Sequence, residues 1–252
     1  MKFNPIYLLA AFLLVLSACG GEEGKGDEAE ANPKSKISKT LSNVKTAIDE
    51  NKGVTMNLAG DVDGIDAYGL GQVMNLPAEI NEENIEVQDD GSALYTVDGN
   101  SYDLEKSGED WLVKLSDEQI AAAIVYQFDK AMVNHNWDRA KELSNKKSQA
   151  AINMFKSNAE KEGSEKEDVE PIKDVSCEVK VVEEAKGDNP MGEMSEALEK
   201  AAEGDTTSED GPKEVKVATC TGCCKKDGST PKEYKVVHEK EGWRVEVSKG
   251  DK

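Results

Sequence analysis

Between residues 116 and 133 the chain carries Ile120, Ile124, Phe128 and Met132 at steps of four, backed by Ala121 and Val125. That spacing lines one side of an α-helix, and such an apolar stripe is stable in water only when another element covers it. Ser116 and Gln119 open the stripe at the spacing of a capping box, in which each side chain satisfies an amide the helix leaves unbonded. The stripe stops near Asn134-His135-Asn136. A second helix is expected from Trp137, with Asp138 in its positive first turn. Its apolar side continues through Ala140, Leu143, Ala150, Ala151, Met154 and Phe155, across a break near 144–146, and residues 158–170 read as a solvated acidic loop.

Beyond that loop, segments 175–182, 215–219, 234–238 and 243–247 alternate apolar and polar residues, the period of half-buried strands, and 239–242 makes a tight hairpin of the last pair. Upstream, 53–115 reads as short strands (VTMNL, IDAYGLGQVMNL, ENIEV, SALYTV, SYDLEK, WLVKL) with hairpin signals at Asp90-Gly91 and Asp98-Gly99. Leu41, Val44 and Ile48 suit a short helix over 38–50 that would cover this sheet. The expected fold class is α+β: C-terminal helices packed on an antiparallel sheet over 116–249, preceded by a small mostly-β domain over 36–115. A polar insert, 185–213, interrupts the C-terminal strands, and its stretch 191–204 suits a short surface helix. With 37% apolar residues, four Phe and three Trp, the chain is lean for one large core and adequate for two small ones. Residues 103–116 and 237–248 echo one another as strand, charged turn, Trp and strand; turn chemistry alone also produces such pairs.

The N-terminus follows a different logic. Lys2 precedes the apolar run 6–16 and then Leu16-Ser17-Ala18-Cys19-Gly20. One positive charge before a short apolar run is the shape of a secretory signal, and a membrane-spanning helix would need about 20 such residues. Leu-Ser-Ala-Cys resembles the lipobox of bacterial lipoproteins at all four positions. The resemblance implies that signal 1–18 is cut between Ala18 and Cys19, that the Cys19 sulfur carries a diacylglyceryl group, and that the new amine is acylated, with palmitate or a similar chain. A thiolate is the side chain best suited to that thioether. Residues 19–35 then form an acidic, Gly-rich tether of disordered composition. The expected location is the cell envelope, with the lipid anchor as the contact to the membrane. Gly20, in place of an Asp that would retain the protein at the inner membrane, favours the outer membrane. Glu22 and Glu23 resemble the export tag of surface-displayed lipoproteins.

Over 116–249 the order of helices, four strands and closing hairpin is similar to the cystatin-like fold of the nuclear transport factor 2 superfamily, in particular its uncharacterised lipoprotein domains. The resemblance is carried by the stripe from Ile120 to Met132, the turn His135-Asn136-Trp137-Asp138-Arg139-Ala140 and the run KVVHEKEGWRVEV ending at Val247. It covers roughly the C-terminal half. It implies a curved sheet around the first helix and a conical cavity, which some relatives use for catalysis with a buried Asp, His or Tyr and others for binding. The insert 185–213 departs from the usual short connection.

A net charge of −20 repels phosphate backbones and excludes nucleic acid as a partner. His135, at the inter-helix turn, suits a polar cap, and His238, beside a hairpin turn, suits a solvent-facing position. Tyr126 and Asp129 lie on the striped helix but off its stripe. No His-Glu-x-x-His, Gly-x-Ser-x-Gly or phosphate-binding glycine loop occurs. Asp61-Val-Asp-Gly-Ile-Asp66 resembles a calcium loop only superficially, since Gln72 stands where a bidentate Glu belongs; a plain turn is expected. No catalytic, cofactor-binding or metal-binding residue is assigned. Besides Cys19 there are Cys177, Cys220, Cys223 and Cys224, and an exported chain favours disulfides over metal or redox use. Three full pairings are open, with a bridge from Cys177 to the 220–224 turn the expected structural use. The expected function is a non-catalytic module for a small ligand or envelope partner. A small isomerase- or dehydratase-type enzyme using the C-terminal cavity is the alternative, and a cysteine-dependent redox or metal protein is a third reading.

Overall fold

The computed structural model describes residues 32–53, 55–162, 171–183, 214–223 and 231–247. Ala18, Cys19, Cys224, the insert 185–213 and nearly all of the expected tether lie outside them. The first helix, α1 (Pro33–Asp49), begins inside that tether. Pro33 suits its start, because the amide that proline lacks would have no partner in the first turn. Ile37, Leu41 and Val44 are buried, and Thr40 Oγ1 donates to the Trp111 carbonyl at 3.2 Å. The helix therefore covers the first sheet, as its spacing suggests.

Two runs expected as strands behave otherwise. VTMNL supplies a 3-10 turn at Thr55–Asn57 and only the first residue of the two-residue β1 (Leu58–Ala59). The run IDAYGLGQVMNL holds a helix, α2 (Ala67–Val73), whose N-cap Asp66 accepts from the Gly69 amide at 2.9 Å. Its two glycines, poor helix formers, conceal it in the sequence. The remaining strands are β2 (Ile85–Val87), β3 (Ser92–Val97), β4 (Asn100–Ser107) and β5 (Asp110–Lys114), ordered β1-β5-β4-β3-β2 with only β1 parallel to its neighbour. Asp98 and Gly99 turn β3 into β4 with φ of 51° and 80°, the left-handed pair that a two-residue hairpin with the right twist requires.

Helix α3 (Asp117–Val133) starts at the expected capping box, with both reciprocal bonds between Ser116 and Gln119 present. Every residue from Ile120 to Asp129 is buried, so the helix is enclosed on all sides rather than along one stripe. Close approach makes this possible. A Cβ on Gly69 of α2 would lie 2.7 Å from the Ala123 carbonyl oxygen, so only glycine lets α2 cross there. His135 follows α3 in the left-handed conformation (φ 57°), its amide bonding the Met132 carbonyl at 3.1 Å, the geometry of a helix C-terminus. Next come α4 (Trp137–Glu142) and, past the expected break, α5 (Gln149–Glu162). The buried face of α5 is set by Ala151 and Ile152, while Met154 is 47% exposed and Ala150 is also exposed. Its apolar side therefore differs from the one expected, and the helix runs through the start of the expected loop.

Strands β6 (Lys173–Glu183), β7 (Glu214–Cys223), β8 (Lys232–Glu239) and β9 (Gly242–Glu246) form an antiparallel sheet in chain order. The molecule is thus α+β, with mainly antiparallel sheets. One buried cluster runs from Ile37 and Leu41 through Leu104 and Val113 to Ile124, Val236 and Trp243. The position near 115 separates two sheets within a continuous core. Among the described residues no helix is long and apolar enough to cross a membrane.

Candidate functional site

Three elements enclose a groove of about 330 Å³. Gln72 and Val73 from α2 form one wall, and Glu118, Gln119, Ala122 and Tyr126 from α3 form the floor. Val175, Ser176 and Cys177 of β6 form the other wall. The Gly69 crossing fixes where α2 leaves α3, and small Ala122 leaves the space beneath. Tyr126 Oη accepts from the Val175 amide at 2.8 Å, which pins β6 beside the helix. Cys177 is also bridged to Cys220, directly opposite it on β7. Cys223 is free and exposed.

One helical turn beyond Tyr126 lies Asp129, a buried acid. Its Oδ2 accepts from the Ile172 amide at 2.9 Å, and its Oδ1 from Tyr234 Oη at 2.6 Å and Lys232 Nζ at 3.1 Å. Three donors thus hold the carboxyl group in place and tie α3 to the start of β6 and to β8. Its field reaches Tyr68, whose phenol is pushed up chiefly by burial and then by the Asp129 charge. Lys130 sits over the Tyr68 ring, 3.5 Å from its centroid, a cation–π contact.

His135 stacks on Trp137 with centroids 5.1 Å apart, far from a catalytic arrangement. His238 corrects the expectation of a solvent-facing residue. It is half-buried, with Nε2 2.7 Å from Asp61 Oδ2 and its ring edge-on to the buried Trp243. The 61–66 segment is a turn, with Gly64 at φ 85°, and its outer acids have structural uses: Asp61 meets His238 and Asp66 caps α2. Arg139 clamps this turn to α3, donating to the Gly64 carbonyl at 2.7 Å and to Gln127 Oε1 at 2.6 Å. Among the described residues no three His, Cys, Asp or Glu side chains converge as metal ligands.

No protein-family model, curated protein or solved structure matches the chain. The site must therefore be read from its own chemistry. Of the residues singled out in the sequence, Tyr126 and Cys177 meet at the groove, while His135 and His238 stand elsewhere. The α2 wall and the Arg139 clamp were not legible, because each depends on a partner remote in sequence.

Proposed function

We propose that the chain is a lipid-anchored envelope protein whose folded part is a non-catalytic binding module, with the groove between α2, α3 and β6 as its ligand site. The envelope assignment is supported by Leu16-Ser17-Ala18-Cys19 following a short apolar run. The C-terminal helices and four-strand meander are read as cystatin-like on the strength of their order. The binding reading is carried by one observation: the groove is open and lined by neutral polar and apolar side chains, with Glu118 the one carboxylate among the described lining residues. An isomerase or dehydratase would need a buried acid or base facing the cavity. Asp129, the buried acid nearby, has both oxygens engaged.

Two measurements test the proposal. Intact-mass analysis of protein from its own envelope should find an N-terminus at a diacylglyceryl-modified Cys19, and Cys19→Ser should abolish the lipid mass. A retained Met1 or a free sulfur at position 19 would remove the anchor. Denaturing the native protein should release a stoichiometric ligand, absent from Ala122→Phe, which fills the groove. Equal release from both proteins would rule out the groove as the site.

A further inference from the structure

We propose that the edge of β6 facing away from β7, together with the groove beside it, takes an extended basic polypeptide segment as an added strand. The inference rests on the groove being the ligand site. The Cα atoms of Cys177 and Cys220 are 4.0 Å apart. Opposed antiparallel residues stand about 5.5 Å apart when they exchange hydrogen bonds and about 4.5 Å when they do not, so this pair is of the second kind. Its N–H and C=O groups on β6 point away from β7. By the two-residue period of a strand, those of Val179 and Val181 do the same. Val175 lies in the irregular stretch between Lys173 and Ser176, and its amide leaves the sheet to reach Tyr126 Oη. Among the described residues, no backbone hydrogen bond from outside the sheet reaches Cys177, Val179 or Val181.

The other edges are short or covered. At β9, the Asn145 amide bonds the Val245 carbonyl at 3.1 Å and the Val245 amide bonds the Leu143 carbonyl at 2.9 Å. In the first sheet, edge strands β1 and β2 have two and three residues. By contrast β6 has 11. Long edges are usually blunted by charged side chains, bulges or a covering element; β6 has an irregularity between Lys173 and Ser176 and pairs Lys180 with Glu178 on one face, while the face it shares with Cys177 carries Val179 and Val181, with Val181 59% exposed. Main-chain pairing to such an edge supplies affinity, and side-chain pockets beside it supply selectivity.

Charge selects the occupant. Glu118 stands exposed on the rim of the groove, and among the described residues it forms no ion pair, since Lys216 pairs with its neighbour Asp117 at 2.7 Å. The whole chain carries −20, which steers cations toward it and repels a second copy. Residues 184–213 hold nine acidic and three basic side chains, so the chain's own insert is poorly matched to this rim. A basic strand, placing one Lys or Arg beside Glu118, fits.

The test uses the full chain in detergent micelles and fluorescent peptides of about ten residues, a length suited to one strand. The peptides alternate lysine with valine, or glutamate with valine, or lysine with valine N-methylated on the edge that would face β6. Anisotropy should show the lysine peptide binding at least about tenfold tighter than either other peptide, the ratio set by one ionic contact and the lost ladder bonds. Hydrogen exchange at 177, 179 and 181 should slow only when that peptide is added. Glu118→Gln should weaken binding about threefold and flatten its salt dependence. Val179→Pro, which removes an amide not used by β7, should abolish binding while the far-ultraviolet spectrum is retained. If it unfolds the chain, the N-methylated peptide carries the same test. Equal binding of all three peptides, or none, overturns the inference. So does protection of these amides without peptide, whether it depends on protein concentration (a second copy) or vanishes on deletion of 184–213 (the insert). If the peptides fail while Ala122→Phe still loses a co-purified ligand, strand addition falls and the groove assignment stands.

Discussion

Asp129 is the only carboxylate between Ile120 and Met132, and that isolation was a readable signal. An acid in the midst of an apolar helix is buried with donors or turned to water, and the neighbouring alanines leave room for close approach by other elements. The sequence did not contain the donors' identities, since Ile172, Lys232 and Tyr234 come from segments far along the chain. The same holds for His238, whose partner Asp61 lies 177 residues away. Asp129→Ala should cost about 3 kcal/mol in urea unfolding at neutral pH, because bonds to a charged acceptor are worth about 1.5–3 kcal/mol and the buried Ile172 amide is left without its acceptor. A loss below about 1 kcal/mol would mean that water replaces the carboxylate, and that Asp129 does not hold β6 to α3.

Among the elements, long periodic segments were the most legible. The capping box and stripe of α3 gave its start and its end within a residue, because local bonding and burial agree there. The hairpin of β3 and β4 was equally clear from Asp98-Gly99. Helix α2 was not, since its glycines argue against a helix and only tertiary contacts explain them, Gly69 at the crossing over Ala123 and Gly71 against Ile48. The register of α5 was also misplaced, because its apolar residues permit more than one face and packing chose Ile152. The cysteines left three pairings open until β6 and β7 were set in register with Cys177 opposite Cys220. That bridge closes a sequence separation of 43, for which the chain-entropy model gives roughly 4 kcal/mol of stabilisation. Reduction, or the double variant Cys177→Ala and Cys220→Ala, should lower the unfolding free energy by about that amount. An unchanged denaturation midpoint would mean that the two strands hold together without it.

At the scale of the whole molecule, burial of aromatic residues makes stability depend on alkaline pH. Burial is the main cause that holds the phenols of Tyr68, Tyr95 and Tyr102 above the usual tyrosine range. In the unfolded chain they ionise near pH 10. Once the pH passes that value the unfolded state binds fewer protons than the folded one, so unfolding becomes more favourable. The stabilisation is complete below about pH 10 and is lost as the pH rises through the folded values. Urea midpoints measured from pH 8 to 11 should be flat and then fall, and Tyr102→Phe should make the fall shallower. A fall of the same depth in that variant would place the effect elsewhere.

The amino-acid sequence by itself determined the period of each long element, the caps and turns that bound them, the α+β class and the acidic charge. These follow from residues within a few positions of one another, where backbone geometry and side-chain chemistry act directly. Only the tertiary structure decided that one core runs through both sheets, that Tyr126 holds β6 beside a groove, that Asp129 accepts from three donors on distant segments and that, among the described residues, no backbone partner from outside the sheet reaches the outer edge of β6. Each of these depends on which distant segments come into contact, and that is settled by packing of the whole chain rather than by any local pattern.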